Sequence, residues 1–303
     1  MIFRRKHITA SKLSNKTQRG EEHRMKIAII GTGTLGPSIA QVFAQCDEIE
    51  HVFLCKGRDS SKRDGKEGLV KTYDRLVEKG KLSRQAADAY LNKIETGGRT
   101  LAADADFVIE AVAEDLPVKQ ELFRELDVIC GAHTAFATNT SSLSVSAIGE
   151  ELSRPLIGMH FFNPVPVMKL VEVIAAKHAP QEAVDFAVNL AIKIGKTPVV
   201  VQEAPGFVVN RILIPMINEA IGVYAEGIAS AEDIDTAMKL GANHPIGPLA
   251  LGDLIGLDVV LAIMETLLLE TGDTKYLPQP LLKKLVREKK LGKKTGEGFF
   301  QYR

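Results

Sequence analysis

Short apolar runs alternate with longer amphipathic stretches from residue 25 to about residue 204. Such runs are typical of parallel strands buried on both faces, and the stretches between them have the spacing of surface helices. We predict strands at 25–30, 51–55, 105–112, 134–138, 155–159 and 197–201. The alternation predicts an α/β domain with a mostly parallel sheet over residues 25–204.

The pattern changes after the turn at residues 203–206. The segments that follow have helical spacing and are apolar on more than one face, which predicts helices at 207–222, 231–239, 249–269 and 280–290. We therefore predict an all-α C-terminal domain over residues 205–303. Its apolar surface predicts packing against a second copy of the chain, which would form a homodimer. The alternative is a well-filled core within one chain.

Composition narrows the classes of partner. The 303-residue chain is 45% hydrophobic and 25% charged, and its formal net charge is zero. Neither nucleic acid nor an anionic membrane surface is therefore expected to bind it. No apolar run approaches the roughly 18 residues that span a bilayer. The three cysteines form no CxxC pair, so we expect no bound metal, no disulfide framework and a reducing, cytoplasmic location.

Residues 1–24 form a basic extension. The first twenty residues contain six Lys or Arg residues and no Asp or Glu. The segment has no apolar core, which excludes a secretory signal. We predict a disordered tail upstream of a domain that begins at Met25. A basic, serine-containing and acid-poor start also fits an organelle transit peptide, which is the alternative.

A glycine-rich loop follows the first predicted strand. Gly31, Gly33 and Gly36 form a GxGxxG motif between that strand and a helical stretch. Gly31 permits a tight turn, Gly33 lets the backbone approach a pyrophosphate, and Gly36 allows close helix packing. The N-terminus of the helix then faces the phosphates with free N–H groups. The loop, including Leu35, is a predicted NAD(P) site.

The end of the second predicted strand indicates which nicotinamide cofactor is used. NAD-binding domains carry an Asp or Glu about 20 residues beyond the glycine motif. Here Lys56 occupies that position and Arg58 follows. The first acidic residue after Lys56 is Asp59. A Lys and an Arg attract the 2′-phosphate of NADP, which a carboxylate would repel. We predict a preference for NADP. The alternative is that both cations are solvated, Asp59 holds the ribose, and NAD serves.

A histidine and a glutamate are placed symmetrically about a proline-rich turn. His160 precedes Pro166 by six residues, and Glu172 follows it by six. A chain reversal near Pro166 would bring both side chains level on neighbouring strands, where the carboxylate makes the imidazole a general base. The alternative is a purely structural role, in which a buried His is hydrogen-bonded to its partner and takes no part in catalysis. Glu114, Ser141 and His160 each follow the carboxyl end of a predicted strand, where open α/β sheets bind ligands, which favours catalysis.

Five motifs in the chain closely resemble those of the 3-hydroxyacyl-CoA dehydrogenases, and among them the bacterial 3-hydroxybutyryl-CoA dehydrogenases. The resemblance runs from about Met25 to Arg303. The motifs are GTGTLG at 31–36, NTSSL at 139–143, HFFNPVPVM at 160–168, PGFVVNR at 205–211 and GKKTGEGF at 292–299.

The resemblance implies a role for each matching position. His160 matches the catalytic base and Glu172 the acid that orients it, while Ser141 and Asn210 match residues that hydrogen-bond the substrate. Further positions match residues around the nicotinamide half of the cofactor: Glu114, Lys119, Ser141, Asn163 and Lys294. Positions that match contacts to coenzyme A are Thr72, Lys79 and Ser141.

The resemblance also implies a fold, a Rossmann-type domain followed by a helical dimerising domain, and an activity. The activity is the interconversion of a short-chain (3S)-3-hydroxyacyl-CoA, such as 3-hydroxybutanoyl-CoA, and its 3-ketoacyl-CoA by hydride transfer with NAD(P), in fatty acid or butanoate metabolism. One alternative is a dehydrogenase of a free 3-hydroxy acid or sugar acid. Another is a cofactor-binding protein without catalysis, against which the intact set of His160, Glu172, Ser141 and Asn210 argues.

Overall fold

The structure is a computed structural model that describes residues 24–58 and 65–302. The predicted tail or transit peptide, apart from Arg24, and the predicted role of Asp59 therefore lie outside the described residues. Strands alternate with helices as far as residue 202, and helices predominate after it.

One sheet of eight strands lies at the centre of the first half of the described chain. The strands are β1 (Met25–Ile30), β2 (Ile49–Cys55), β3 (Ile94–Gly97), β4 (Phe107–Glu110), β5 (Ala135–Thr138), β6 (Leu156–Phe161), β7 (Leu170–Ala175) and β8 (Thr197–Gln202). Their order is β3-β2-β1-β4-β5-β6-β7-β8. Strands β1 to β6 pair in parallel, β7 is antiparallel to β6, and β8 is parallel to β7. The order reverses direction between β1 and β4, which confirms the Rossmann-type fold.

Helices cover both faces of this sheet. They are α1 (Leu35–Ala44), α2 (Lys66–Glu78), α3 (Arg84–Asn92), α4 (Leu116–Ile129), α5 (Val145–Ile148) and α6 (Gln181–Lys193). Alternate residues of β1 enter two separate cores: Ile27 and Ile29 pack in the core that contains Phe43 of α1, whereas Ala28 and Ile30 pack in the core that contains Phe123 of α4. This burial on both faces explains why the strands are wholly apolar in sequence.

Strand β3 was not predicted. It lies at one edge of the sheet after a lysine-rich pair of helices, and Ile94 is its only buried residue. An edge strand with one buried side chain has too little apolar pattern to be separated from a helical surface.

The second half contains five α-helices within the described residues. They are α7 (Val209–Ala225), α8 (Ala231–Gly241), α9 (Pro248–Ile255), α10 (Leu257–Thr271) and α11 (Pro280–Arg287). They surround a third apolar core, which includes Ile217, Val260 and Met264. None of the described helices is both long and apolar enough to cross a membrane.

The prediction of one continuous helix over residues 249–269 was wrong. Gly256 separates α9 from α10 with φ of 104°, a conformation that lies outside the helical region. The N–H of Leu257 donates to the carbonyl of Leu291 at 3.1 Å rather than continuing the helix. A contact with a segment more than thirty residues away therefore ends the first helix.

Candidate active site

The glycine-rich loop lies at the carboxyl end of β1 and leads into α1. Gly31 has φ of 129°, and a side chain there would collide with the carbonyl of Ala111; a side chain on Gly36 would collide with the carbonyl of Gly31. Around Gly33 the space is open to 4 Å. The Thr34 side chain makes no capping hydrogen bond to α1. The first N–H groups of α1 are therefore available to an anion. These features fit a bound pyrophosphate.

A cleft beside the loop fits the adenosine half of a dinucleotide. It is lined by residues 31–35, Gly57, Arg58, residues 111–113 and Val118. Gly57 has no room for a side chain, since an added Cβ would lie 2.7 Å from Cγ1 of Val112. Lys56 is half-buried directly after β2, and Arg58 is exposed at the cleft. Of the two predicted cations, Arg58 therefore lines this cleft, and Lys56 lies two residues before it.

His160 and Glu172 stand directly opposite each other on β6 and β7. The spacing argument about Pro166 is thereby confirmed. Nδ1 of His160 lies 2.8 Å from Oε2 of Glu172, and the two residues are 4% and 1% exposed. The pair is shielded from solvent, so its electrostatic interaction is little screened.

The second oxygen of Glu172 accepts hydrogen bonds from the start of α7. The N–H groups of Val208 and Val209 donate to Oε1 at 3.1 and 3.0 Å. Burial alone would raise the pKa of Glu172, but the hydrogen bonds from His160 and from these two N–H groups outweigh it and hold the pKa below its usual range. An ionised carboxylate only accepts hydrogen bonds, so Nδ1 of His160 carries a proton and Nε2 of the neutral ring is unprotonated.

One atom of the His160 ring, Nε2, remains accessible. Every fully buried polar side-chain atom among residues 24–58 and 65–302 has a hydrogen-bond partner. The structure gives Nε2 no such partner within these residues, so Nε2 must be accessible. The imidazole packs against the rings of Phe162 and Phe207, with centroids 4.4 and 5.7 Å away. The ring is therefore held by apolar neighbours while one nitrogen stays free to exchange a proton.

Glu114 organises the loop that carries Ser141. Its Oε1 accepts hydrogen bonds from the Thr140 hydroxyl at 2.7 Å and from the N–H groups of Ser141 and Ser142 at 2.7 and 2.9 Å. Burial would raise the pKa of Glu114, but Lys119 and these donors outweigh it and lower that pKa. The carboxylate thus fixes the backbone of the loop after β5.

Lys119 lies beneath this carboxylate. It is 1% exposed, and its ammonium pairs with Glu110 at 2.6 Å and with Glu114 at 3.3 Å. Glu110 also accepts a hydrogen bond from the Thr138 hydroxyl at 2.6 Å. One buried polar network therefore joins the ends of β4 and β5 to helix α4. Each charged group in this network has a partner.

Asn210 reaches the same loop from α7. Its Nδ2 donates to the carbonyl of Ser141 at 3.2 Å. The side chain of Asn139 joins the loop to the His160 strand, because its Oδ1 accepts from the N–H of Phe161 at 2.8 Å. Three separate segments therefore bring His160, Ser141 and Asn210 to one edge of the sheet. The Ser141 hydroxyl makes no hydrogen bond to another described residue and can meet a ligand.

The other predicted site residues are more scattered. Asn163 is exposed on the turn after β6, and Thr72 on α2 lines a cleft shared with the glycine-rich loop. Lys79 lies at the C-terminal cap of α2, about 10 Å farther along the helix axis than Thr72. Lys294 pairs with Asp258 at the start of α10. The structure therefore places Thr72 beside the cofactor loop and Lys294 within the helical half.

Two positioning groups were missed in the sequence. Glu203 follows β8 and accepts hydrogen bonds from the Ser144 hydroxyl at 2.6 Å and the Ser146 N–H at 2.8 Å, so it holds the far end of the Ser141 loop. Lys196 is 9% exposed, and its ammonium donates to the carbonyls of Val165 and Met168 in the turn between β6 and β7. The sequence signal for Glu203 is its position just after an apolar strand. The signal for Lys196 is a single lysine directly before that strand.

The fold and the site define a class of protein. Among the described residues no cluster of three or more His, Cys, Asp or Glu side chains is placed to hold a metal ion. A loop that fits a pyrophosphate lies at the same sheet edge as a buried imidazole–carboxylate pair with one open nitrogen. These are the features of an oxidoreductase that uses a nicotinamide dinucleotide.

Comparison with known proteins gives the family. The model of the NAD-binding domain of 3-hydroxyacyl-CoA dehydrogenases matches residues 26–204, and the model of their C-terminal domain matches residues 206–302. The chain belongs to the 3-hydroxyacyl-CoA dehydrogenase family.

Relatives and a solved structure match nearly end to end. The chain is 52% identical over 282 residues to 3-hydroxybutyryl-CoA dehydrogenase of Clostridioides difficile, covering 92% of this chain and 99% of that one. It is 48% identical to a probable 3-hydroxybutyryl-CoA dehydrogenase of Bacillus subtilis, with 91% and 97% covered. The crystal structure of (S)-3-hydroxybutyryl-CoA dehydrogenase from Ralstonia eutropha superposes with a TM-score of 0.85 at 42% identity, covering 92% of this chain and 99% of that one.

Proposed function

We propose that this protein interconverts a short-chain (3S)-3-hydroxyacyl-CoA, such as 3-hydroxybutanoyl-CoA, and the corresponding 3-ketoacyl-CoA. The observation that carries the proposal is the buried His160–Glu172 pair, whose open nitrogen lies at the same sheet edge as Ser141 and the dinucleotide loop. The relatives named as 3-hydroxybutyryl-CoA dehydrogenases match almost their whole length, which supports this substrate.

The imidazole of His160 acts as the general base. Its Nε2 takes the proton of the 3-hydroxyl group as the C3 hydride leaves, and the Glu172 carboxylate stabilises the imidazolium that results. The bound nicotinamide supplies the hydride acceptor in this direction and the hydride donor in the other. In the reverse direction the imidazolium donates its proton to the 3-keto oxygen.

Ser141 and Asn210 orient the substrate. The Ser141 hydroxyl would donate to the reacting oxygen, and the Asn210 amide, which contacts the Ser141 carbonyl, adds a second polar group from α7. The hydrogen bonds that Glu114 makes to the loop keep the Ser141 backbone in place. Such preorganised donors lower the barrier because they need no rearrangement as charge develops.

Further parts of the site are proposed from the same match to the family. The nicotinamide half would contact Asn163 on the exposed turn and, once bound, approach Glu114, Lys119 and Lys294. The coenzyme A part would lie along α2 by Thr72 and Lys79, beside the cleft that Thr72 shares with the glycine-rich loop. Thr72→Ala and Lys79→Ala should each raise KM for acetoacetyl-CoA and leave KM for the nicotinamide unchanged; the opposite pattern would refute this placement.

A steady-state assay with acetoacetyl-CoA tests the main proposal. Purified protein should oxidise the reduced nicotinamide with acetoacetyl-CoA and show a kcat/KM at least about a hundredfold lower with free acetoacetate, which lacks the binding energy of coenzyme A. Equal rates with the free acid would favour the dehydrogenase of a free hydroxy acid. If the reduced nicotinamide is oxidised with neither compound, the remaining hypothesis is a cofactor-binding protein without catalysis.

NADP is proposed as the preferred cofactor. Arg58 lines the adenosine cleft and Lys56 directly follows β2, two residues before it, so both cations are proposed to attract a 2′-phosphate. The kcat/KM should be higher with NADPH than with NADH, and added salt should narrow the difference because Arg58 is exposed. Lys56→Asp should shift the preference toward NADH, whereas Lys239→Asp on α8, which makes the same change of charge elsewhere, should not. A wild-type preference for NADH of tenfold or more would refute this proposal.

A homodimer through the helical half is proposed as well. Ile212, Leu240 and Leu269 are 68%, 82% and 82% exposed on this half, so packing against a second copy would remove large apolar side chains from water. Light scattering should give twice the chain mass, and Leu269→Lys should lower it. A monomeric wild type would refute the dimer.

A cytoplasmic location is proposed from the cysteines. Cys46, Cys55 and Cys130 are buried and free of disulfides, as expected in a reducing compartment. Fractionation of the source cells should recover the protein with cytoplasmic markers; recovery with an organelle or the cell exterior would refute this.

A further inference from the structure

A left-handed turn joins the two halves of the molecule next to the catalytic pair. Gly206 and Phe207 both have positive φ, at 71° and 50°. Glycine adopts this region freely, but a bulky aromatic residue rarely does. The N–H of Phe207 closes the turn by donating to the carbonyl of Ala204 at 3.0 Å.

The turn directs two backbone donors at Glu172. Directly after Phe207, the N–H groups of Val208 and Val209 both point to Oε1 of Glu172. Helix α7 starts at Val209, so its positive end also faces this carboxylate. The backbone conformation of Phe207 therefore determines whether both donors reach the acid that orients His160.

The side chain of Phe207 contacts the other member of the pair. The residue is 4% exposed, and its ring lies 5.7 Å from the His160 imidazole, with 53° between the ring planes. The helical half holds the turn from the other side, since a Cβ added to Gly206 would lie 2.9 Å from Cδ2 of Leu267 on α10. Phe207 thus touches His160 with its ring and reaches Glu172 through the backbone that follows it.

We propose that Phe207 is a positioning residue for the acid–base pair. Its ring limits the rotation of the imidazole, and its left-handed backbone aims the donors that hold Glu172. Phe207 acts through His160 and Glu172 and does not itself exchange a proton. This inference rests on the proposed role of His160 as the general base.

Kinetics of three variants test the proposal. Phe207→Ala should lower kcat about 10- to 100-fold, the loss expected when a reacting group is misplaced by about 1 Å, while KM for acetoacetyl-CoA and for the nicotinamide stays within about threefold. Phe207→Leu should recover most of the kcat because it keeps an apolar side chain against the imidazole. Phe207→Val should recover less than Leu, since β-branched side chains resist positive φ.

A matched control and a spectroscopic measurement separate positioning from folding. Phe186→Ala removes a partly exposed phenylalanine from α6, away from the pair, and should leave kcat unchanged. In ¹⁵N spectra of histidine-labelled protein, with His160→Gln to assign the signal, wild type should show His160 protonated at Nδ1. Phe207→Ala should show a mixture of tautomers. This measurement needs no turnover, so it tests the inference even if acetoacetyl-CoA is not reduced.

Three results would overturn the proposal. One is a folded Phe207→Ala protein with wild-type kcat and a wild-type His160 spectrum. Another is a fall in kcat that only matches the fall in folded fraction measured by circular dichroism. If Phe207→Ala does not fold, equal kcat and equal His160 spectra for Phe207→Leu and Phe207→Val would show that the left-handed backbone is not required.

Discussion

Replacing Glu172 with Gln should reverse the tautomer of His160. The N–H groups of Val208 and Val209 both donate to Oε1, so the single carbonyl oxygen of a glutamine must take that place. Its NH₂ group then faces Nδ1 of His160 where Oε2 stood at 2.8 Å. Nδ1 must accept that hydrogen bond, the ring proton moves to Nε2, and Nε2 can no longer take a proton from the substrate.

The magnitude follows from the lost charge. Two unit charges about 4 Å apart interact by about 4 kcal/mol at an effective dielectric constant of about 20. Each 1.4 kcal/mol or so on the barrier changes the rate about tenfold, so the imidazolium state should become about a thousandfold harder to reach. This value lies within the roughly 100- to 10,000-fold range of general acid–base catalysis. The fold should survive, because the glutamine oxygen still accepts from both N–H groups.

A double-mutant cycle is the assay. The kcat for acetoacetyl-CoA reduction would be measured for wild type, Glu172→Gln, His160→Gln and the double variant, from the absorbance of the reduced nicotinamide. If Glu172 acts through His160, the double variant should be no slower than His160→Gln alone. Cofactor affinity, measured by titration, should stay within about threefold of wild type in all four proteins if the fold is intact.

Two results would refute this reasoning. A Glu172→Gln protein with kcat within threefold of wild type would mean that the carboxylate has only a structural role. Additive losses in the double variant would mean that Glu172 contributes to turnover by a route that does not involve His160.

Three further predictions concern the buried acids and the base. His160→Gln should lose kcat by about 100- to 10,000-fold with unchanged cofactor affinity, and near-normal turnover would contradict the assignment. Because the pKa of Glu172 is lowered, its contribution to stability is fully present above pH about 4.3 and is lost as pH falls through the folded pKa; Glu172→Gln should therefore flatten the acid side of a plot of unfolding temperature against pH. Burial raises the pKa of Asp253 despite its hydrogen bonds from Phe299 and Phe300, so its contribution is present below pH about 3.9 and is lost as pH rises through the folded pKa. Asp253→Asn should therefore remove this fall of unfolding temperature with rising pH. An unchanged fall would assign the effect to another titrating group.

Local spacing made part of the site predictable. His160 and Glu172 lie twelve residues apart around one turn, so the register of a single hairpin brings them together. The glycine-rich loop follows its strand directly, and Glu114 and Ser141 follow theirs. In each case the relevant geometry spans one strand and the turn after it, which a periodic pattern can reveal.

Contacts between distant segments were not predictable in this way. The Val208 N–H reaches Glu172 across 36 residues, and Glu203 holds Ser144 across 59. The break between α9 and α10 has the same origin, since Leu291 takes the N–H of Leu257. No local pattern identifies these contacts, because each side chain or N–H group finds its partner only after the whole chain has packed. The strand-end position of Glu203 marks a polar group but not its contact with Ser144.

The sequence by itself determined the Rossmann-type order of strands and helices, the phosphate loop and the pairing of His160 with Glu172. Apolar runs, glycine spacing and one hairpin are enough for these features, since their energetics are local. Only the tertiary structure decided how the pair is held: Phe207 adopts a left-handed conformation, and the start of α7 donates two N–H groups to Glu172. The physical reason is that a buried carboxylate must have its hydrogen bonds satisfied, and here the donors come from the other half of the chain.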